Sequence, residues 1–269
     1  MAVATIRPGL DLSYLLDGPE GAEVLVLITG AASQKEGWFR QVRHFRDRYR
    51  VLAPDNRCMG GSSVVDEPLA MRDMAEDVIL LLDHLGVARA HVFGMSMGGK
   101  IAQELALGWP DRVERLVLAA TSAGTASALG EPEWAALRHA PPVTVDDYLE
   151  RVVPLLFGPA YRERFAFAVE AFARSRVQRP PHPVAIARQW EAHDAFDSWE
   201  RLPSLRHPTL VLAGAEDAVV DPGNAARLAE RIPDARAVVV PGAGHSVHIE
   251  AWRVVNQAVE RFLAGESVR

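Results

Sequence analysis

The sequence predicts an α/β domain, a mostly parallel sheet flanked by helices, and three observations carry that expectation. Short apolar runs alternate with helix-length stretches from Glu23 to Thr121, the pattern of parallel strands joined by crossover helices. Two more strand-like runs return after a long segment of different character. A serine stands between glycines where one apolar run gives way to a helix.

Each element has its own signal. GAEVLVLITG is a short β-branched run ending at a glycine and reads as a buried strand. GWFRQVRHFRDR is helix-like, and YRVLAPD is another apolar strand. MRDMAEDVILLLDHLG sets Met74, Val78, Leu81, Leu82 and Leu85 on one helical face, with Gly86 as its stop. RAHVFG reads as a strand, MGGKIAQELALGWP as a helix closed by Pro110, and RVERLVLAAT as a strand. From about Ser122 to Leu205 strand-like runs cease. Helical stretches there are broken by prolines and carry many aromatics, among them Trp134, Tyr148, Phe157, Tyr161, Phe172 and Trp190. HPTLVLAG and RAVVVPG then resume as strands, with helices at 223–231 and 249–263. Residues 1–121 and 206–269 are therefore expected to form one core domain, and 122–205 a helical insertion, or cap.

The chain has 269 residues, 49% hydrophobic and 24% charged, so it is long enough to bury a large core without metals or disulfides. A formal net charge of -6 gives no electrostatic footprint for nucleic acid. The single cysteine, Cys58, excludes an internal disulfide framework and fits a reducing compartment. No apolar run reaches the roughly 18 residues that span a bilayer, and MAVATIRPGL lacks a secretion-signal pattern. A cytoplasmic location, without membrane attachment, is the expectation. A homodimer is compatible with the sequence.

The sharpest local signal is Gly94-Met95-Ser96-Met97-Gly98. A serine at the tip of a tight strand-to-helix turn has a strained backbone and an exposed hydroxyl, and glycine two residues to either side lets the chains pass. The bare pattern is weak, but its context, an apolar strand before and a glycine-opened helix after, strengthens it. A serine hydroxyl needs a base to take its proton, and the base needs a third group to fix its tautomer. Downstream, LVLAGAEDAVVDP places Asp217 just past a strand, and VVVPGAGHSVHIE places His245 in a glycine-rich turn. Glu216 and Asp221 compete with Asp217, and His248 with His245. The remaining histidines show no metal-ligand spacing, so neither a metal nor another cofactor is expected.

With ITG, PDNRCMGGSS, GMSMGG, GAED and GAGH in this order, the chain resembles the α/β-hydrolase superfamily over nearly its whole length. It is most similar to bacterial 3-oxoadipate enol-lactonases and related esterases, above all along MSMGGKIAQELALGWPDRVERLVLAATSAG. The resemblance implies a helical cap after the sixth strand, a triad in the order Ser96, Asp217, His245, and an oxyanion hole from the backbone N–H groups of Met97 and Ala31. Thr29 stands where the family usually has histidine, and Cys58 where it usually has glycine. Trp38, at a position where the family carries tryptophan, is read as packing. Asp55 and Arg57 are read as a salt-linked turn beneath the site, and Cys58 as a packed bystander. Thr29, Gly30 and Ala32 beside the oxyanion loop, Trp134 and Phe157 from the cap, and Val219 beyond Asp217 are the expected substrate contacts. Arginines outnumber acids between Arg138 and Arg188, and one of them could grip a substrate carboxylate; a solvated basic face is the plainer reading.

The expected function is hydrolysis of a small carboxylic ester or lactone through an acyl-enzyme. The same triad also serves carbon–carbon bond hydrolysis, acyl transfer and a cofactor-free haloperoxidase activity in similar proteins. A non-catalytic ligand receptor on the same fold is a third reading, disfavoured by the presence of all three triad residues.

Overall fold

In the computed structural model, residues 2–124, 128–129, 144–178, 180 and 182–268 are described. Eight strands form one sheet: β1 (Ala2–Arg7), β2 (Leu10–Asp17), β3 (Val24–Ile28), β4 (Arg50–Pro54), β5 (Ala90–Met95), β6 (Val113–Ala119), β7 (Thr209–Gly214) and β8 (Ala235–Val240). Their spatial order is β1-β2-β4-β3-β5-β6-β7-β8. β1 and β2 pair antiparallel, as do β2 and β4, and every other pairing is parallel.

The central strands read as continuous apolar runs because both their faces are covered. All five residues of β3 are buried. Val24, Val26 and Ile28 point to one core, with α2 (Met71–His84), α3 (Met97–Gly108) and α9 (Gly223–Arg231) packed on it. Leu25 and Leu27 point to the other, covered by α1 (Phe39–Phe45) and α11 (Trp252–Leu263). The period-2 alternation of a strand thus feeds two cores at once.

Between β6 and β7 run α4 (Val145–Arg151), α5 (Val153–Leu156), α6 (Pro159–Arg164), α7 (Ala166–Gln178) and α8 (Pro183–Ala195). They have a small core of their own, Val153, Phe157, Val169 and Ala173, on which Ile249 of α10 (Val247–Glu250) also packs. The expected helical insertion after the sixth strand is present.

The sequence reading lacked one element, the β1–β2 hairpin. β1 is an edge strand with one fully buried residue, Ala4, so its apolar signal is faint. The turn itself is written as Pro8-Gly9, with Gly9 at φ 79.

Chain direction across the sheet reverses at β3, whose neighbours are β4 on one side and β5 on the other. The crevice outside the carboxyl ends of such strands is where open α/β sheets bind ligands. Two close approaches shape it. A methyl group on Gly94 would lie 2.2 Å from the carbonyl oxygen of Gly98, and one on Gly98 would lie 2.2 Å from that of Ile28. Gly98→Ala should therefore cost about 1–3 kcal/mol by overpacking, seen as a lower urea midpoint; an unchanged midpoint would show that the start of α3 and the end of β3 are not so tightly apposed.

Candidate active site

Ser96 follows β5 and precedes α3, in a conformation side chains rarely adopt, φ 55 and ψ -123. Its N–H donates to the carbonyl of Ala119 (2.8 Å), and its carbonyl accepts from Thr121 Oγ1 (2.8 Å) and from the Gly99 N–H (2.8 Å). Backbone strain of this kind persists only where the surroundings over-determine it. Ser96 itself is half-buried, whereas Met97 beyond it is fully buried.

Asp217 follows β7 and is buried. Its Oδ1 accepts from the N–H groups of Val219 (2.8 Å) and Val220 (2.9 Å). Its carboxylate meets His245 Nδ1 at 2.9 Å through Oδ2 and 3.1 Å through Oδ1. His245, after β8, is buried as well. The competing acids have other engagements: Asp221 Oδ1 accepts from the Gly223 N–H (2.7 Å), and the Glu216 carboxylate lies against Gly158. His248 sits in α10, its ring 4.9 Å from that of Trp38. Burial, with the neighbouring His245 adding to it, pushes the His248 imidazole down to about 3. It is thus held neutral where an exposed histidine titrates.

The loop after β3 runs alongside the serine. A methyl on Gly30 would lie 3.1 Å from Ser96 Cβ and 3.6 Å from its Oγ. Ala31 follows, and then Ala32, itself at φ 55. The Ala32 N–H donates to Gln189 Oε1 of α8 (3.1 Å), and its carbonyl accepts from Arg176 of α7. Arg176 also donates to Ser33 Oγ (3.0 Å). Insertion residues therefore grip the peptide next to the expected oxyanion donor. Thr29 is buried and turned back on its own loop, donating to the Ser33 carbonyl (3.4 Å) and accepting through its carbonyl from Asn56 Nδ2 (3.0 Å).

Beneath this loop the sequence reading needs a correction. Asp55 and Arg57 do not pair with each other. Asp55 accepts from Lys35 Nζ (2.5 Å), the Lys35 N–H (2.8 Å) and the Gly61 N–H (3.1 Å). Arg57 forms a two-pronged pair with Asp77 of α2. Each charge finds its partner elsewhere in the chain, Asp55 in Lys35 and Arg57 in Asp77. Cys58 is buried at φ 72, in contact with the Val65 peptide, and burial pushes its thiol up, away from reactivity.

Among the expected substrate contacts, Gly30 stands beside Ser96 and Val219 beside Asp217, while Ala32 is held to Gln189. Phe157 is 2% exposed and spent on the insertion's own core, stacked on Tyr161 (5.5 Å) and edge-on to Phe172 (5.3 Å). Trp134 lies outside the described residues. Gln189, Arg176 and Glu250, all close to the site loops, were missed. Their roles depend on where α7, α8 and α10 dock, and no motif announces that.

Residues 23–251 match the family model of the alpha/beta hydrolase fold. Among curated relatives, 3-oxoadipate enol-lactonase 2 of Acinetobacter baylyi is 29% identical over 94% of this chain and 92% of its own. A Variovorax paradoxus protein named, provisionally, as the carbamate hydrolase RutD is 31% identical over 95% and 97%. Among solved structures, the enol-lactonase of Burkholderia xenovorans superposes with a TM-score of 0.87, at 30% identity, covering 98% of this chain and all of the other.

A neutral buried His248 binds its proton only on unfolding, so its contribution to stability is present above the unfolded value of about 6.5 and is lost as pH falls below it. The melting temperature should thus decline from pH 6.5 to pH 4, and His248→Gln should flatten the decline; equal slopes in both proteins would show that His248 titrates normally.

Proposed function

The chain belongs to the α/β-hydrolase family, and we propose that it is a serine hydrolase cleaving a small carboxylic ester or lactone through an acyl-enzyme. The observation that carries this reading is the buried Asp217–His245 contact at 2.9 Å, on the same sheet edge as a serine held at φ 55.

The steps follow from the groups in place. Asp217, held by two backbone N–H groups, accepts the Nδ1–H of His245. That fixes the tautomer that leaves Nε2 free to accept a proton. Ser96 Oγ attacks the carbonyl carbon as its proton passes to Nε2. The N–H groups of Met97 and Ala31 receive the charge that grows on the carbonyl oxygen, where preorganised donors act most strongly. The imidazolium protonates the departing alkoxide, leaving Ser96 acylated. Water, deprotonated by His245, then attacks the acyl carbon and releases the acid and the free serine.

We take 122–205 to act as a lid over this site, with Gly30, Ala32 and Val219 near the reacting carbon. The names of the relatives support an ester or lactone. The relative named for carbamate hydrolysis supports a second reading on the same machinery, attack at a carbamoyl carbon. Turnover of a matched panel of p-nitrophenyl acetate, simple lactones and carbamates separates the two.

His245→Ala should lower kcat/KM for the best substrate of that panel at least about a thousandfold, with the melting temperature nearly unchanged. Activity within tenfold of the parent would remove His245 as the base and with it this mechanism.

A further inference from the structure

We propose that Glu250 is a positioning residue for His245, its carboxylate locking the helical insertion onto the loop that presents the histidine. The proposal rests on the triad reading above and adds a residue to it.

The geometry is a three-point clasp. Glu250 Oε1 accepts from the N–H of Gly244, the residue before His245 (3.0 Å). Oε2 accepts from the N–H of Gly158, which opens α6 of the insertion (2.8 Å). On the other side of His245, the Ser246 N–H donates to the Leu156 carbonyl at the end of α5 (2.8 Å). The peptides flanking His245 are therefore both tied to residues 156–158, one directly and one through Glu250. The contact is close: a methyl on Gly244 would sit 2.7 Å from the Gly158 nitrogen. A carboxylate with both oxygens receiving backbone N–H groups from two segments fixes their separation, as a neutral acid or an amide cannot do equally well.

The clasp also carries charge toward the site. Facing Glu250 are His245 and Asp217, with Glu216 across Gly158, Tyr161 of α6 with Arg40 of α1 beside it, and His248 on its own helix. Burial pushes the Glu250 carboxyl up to about 7; the two N–H bonds pull the other way, Asp217 raises it and His245 lowers it. In its ionised form Glu250 holds the loop and favours the imidazolium that forms as Ser96 attacks. Protonation weakens both effects, so Glu250 should contribute to the acid limb of activity near neutrality.

The experiment is the pH profile of kcat/KM and kcat for the full-length protein and for Glu250→Gln and Glu250→Asp, with melting temperatures alongside and His245→Ala as control. Glu250→Gln should lower the plateau of kcat about 10- to 100-fold, with KM little changed, and should move the acid limb to lower pH by about half a unit or more. Glu250→Asp should restore part of the limb's position. A Glu250→Gln profile superimposable on the parent's, or a loss confined to KM, overturns the proposal while leaving the triad standing. Activity surviving in His245→Ala instead overturns the triad reading itself. Should Glu250→Gln fail to fold, the parent's profile decides: an acid limb that steepens beyond one proton supports the proposal, and a one-proton limb overturns it.

Discussion

The tight passage of backbone at Ser96 is the constraint on which the rest of the site depends. Strand β5 must turn into α3 within a single residue, and the turn fits only because Gly94, Gly98 and the end of β3 approach to distances that no side chain allows. The cost is a serine at φ 55, of order 1–3 kcal/mol for such a conformation. It is offset by hydrogen bonds to Ala119, Thr121 and Gly99 and by a sheet buried on both faces. Because the turn is fixed by sheet register, every other site group has to be brought to it.

Three layers bring them. The sheet itself delivers the acid and the histidine, since parallel strands β7 and β8 end on the same side as β5. Buried ion pairs then brace the loops: Lys35 with Asp55 and Arg57 with Asp77 lie below the β3 loop, and Asn56 reaches up to the Thr29 carbonyl. Such pairs cost desolvation, so their use here is for fixed geometry more than for net stability. The insertion supplies the third layer, with Gln189 and Arg176 holding Ala32 and residues 156–158 holding the histidine loop. In this arrangement the insertion holds two of the loops, the one after β3 and the one that carries His245.

How much of this was legible in the sequence follows from the range of each interaction. The turn at Ser96 is local, and its glycines stand two residues to either side, so the pattern reads directly. Asp217 and His245 are each marked by a strand end and a turn, and these local signals named the two residues that meet at 2.9 Å. The insertion was visible as a change of periodicity. By contrast, the partners of Asp55 and Arg57 are twenty residues away in opposite directions along the chain, and local spacing misassigned them to each other. Phe157 was read as a substrate contact from its aromaticity, which does not distinguish a pocket wall from the insertion's own core. Gln189, Arg176 and Glu250 are ordinary polar residues on helices until docking gives them partners. The edge strand β1, with little to bury, left no strong pattern.

The central claim is that Ser96 is the nucleophile, and covalent capture tests it most directly. Incubation with a fluorophosphonate, followed by peptide mass spectrometry, should place one phosphonyl group on Ser96, and Ser96→Ala should acquire none. A modification on any other residue, or undiminished labelling of Ser96→Ala, would contradict the account.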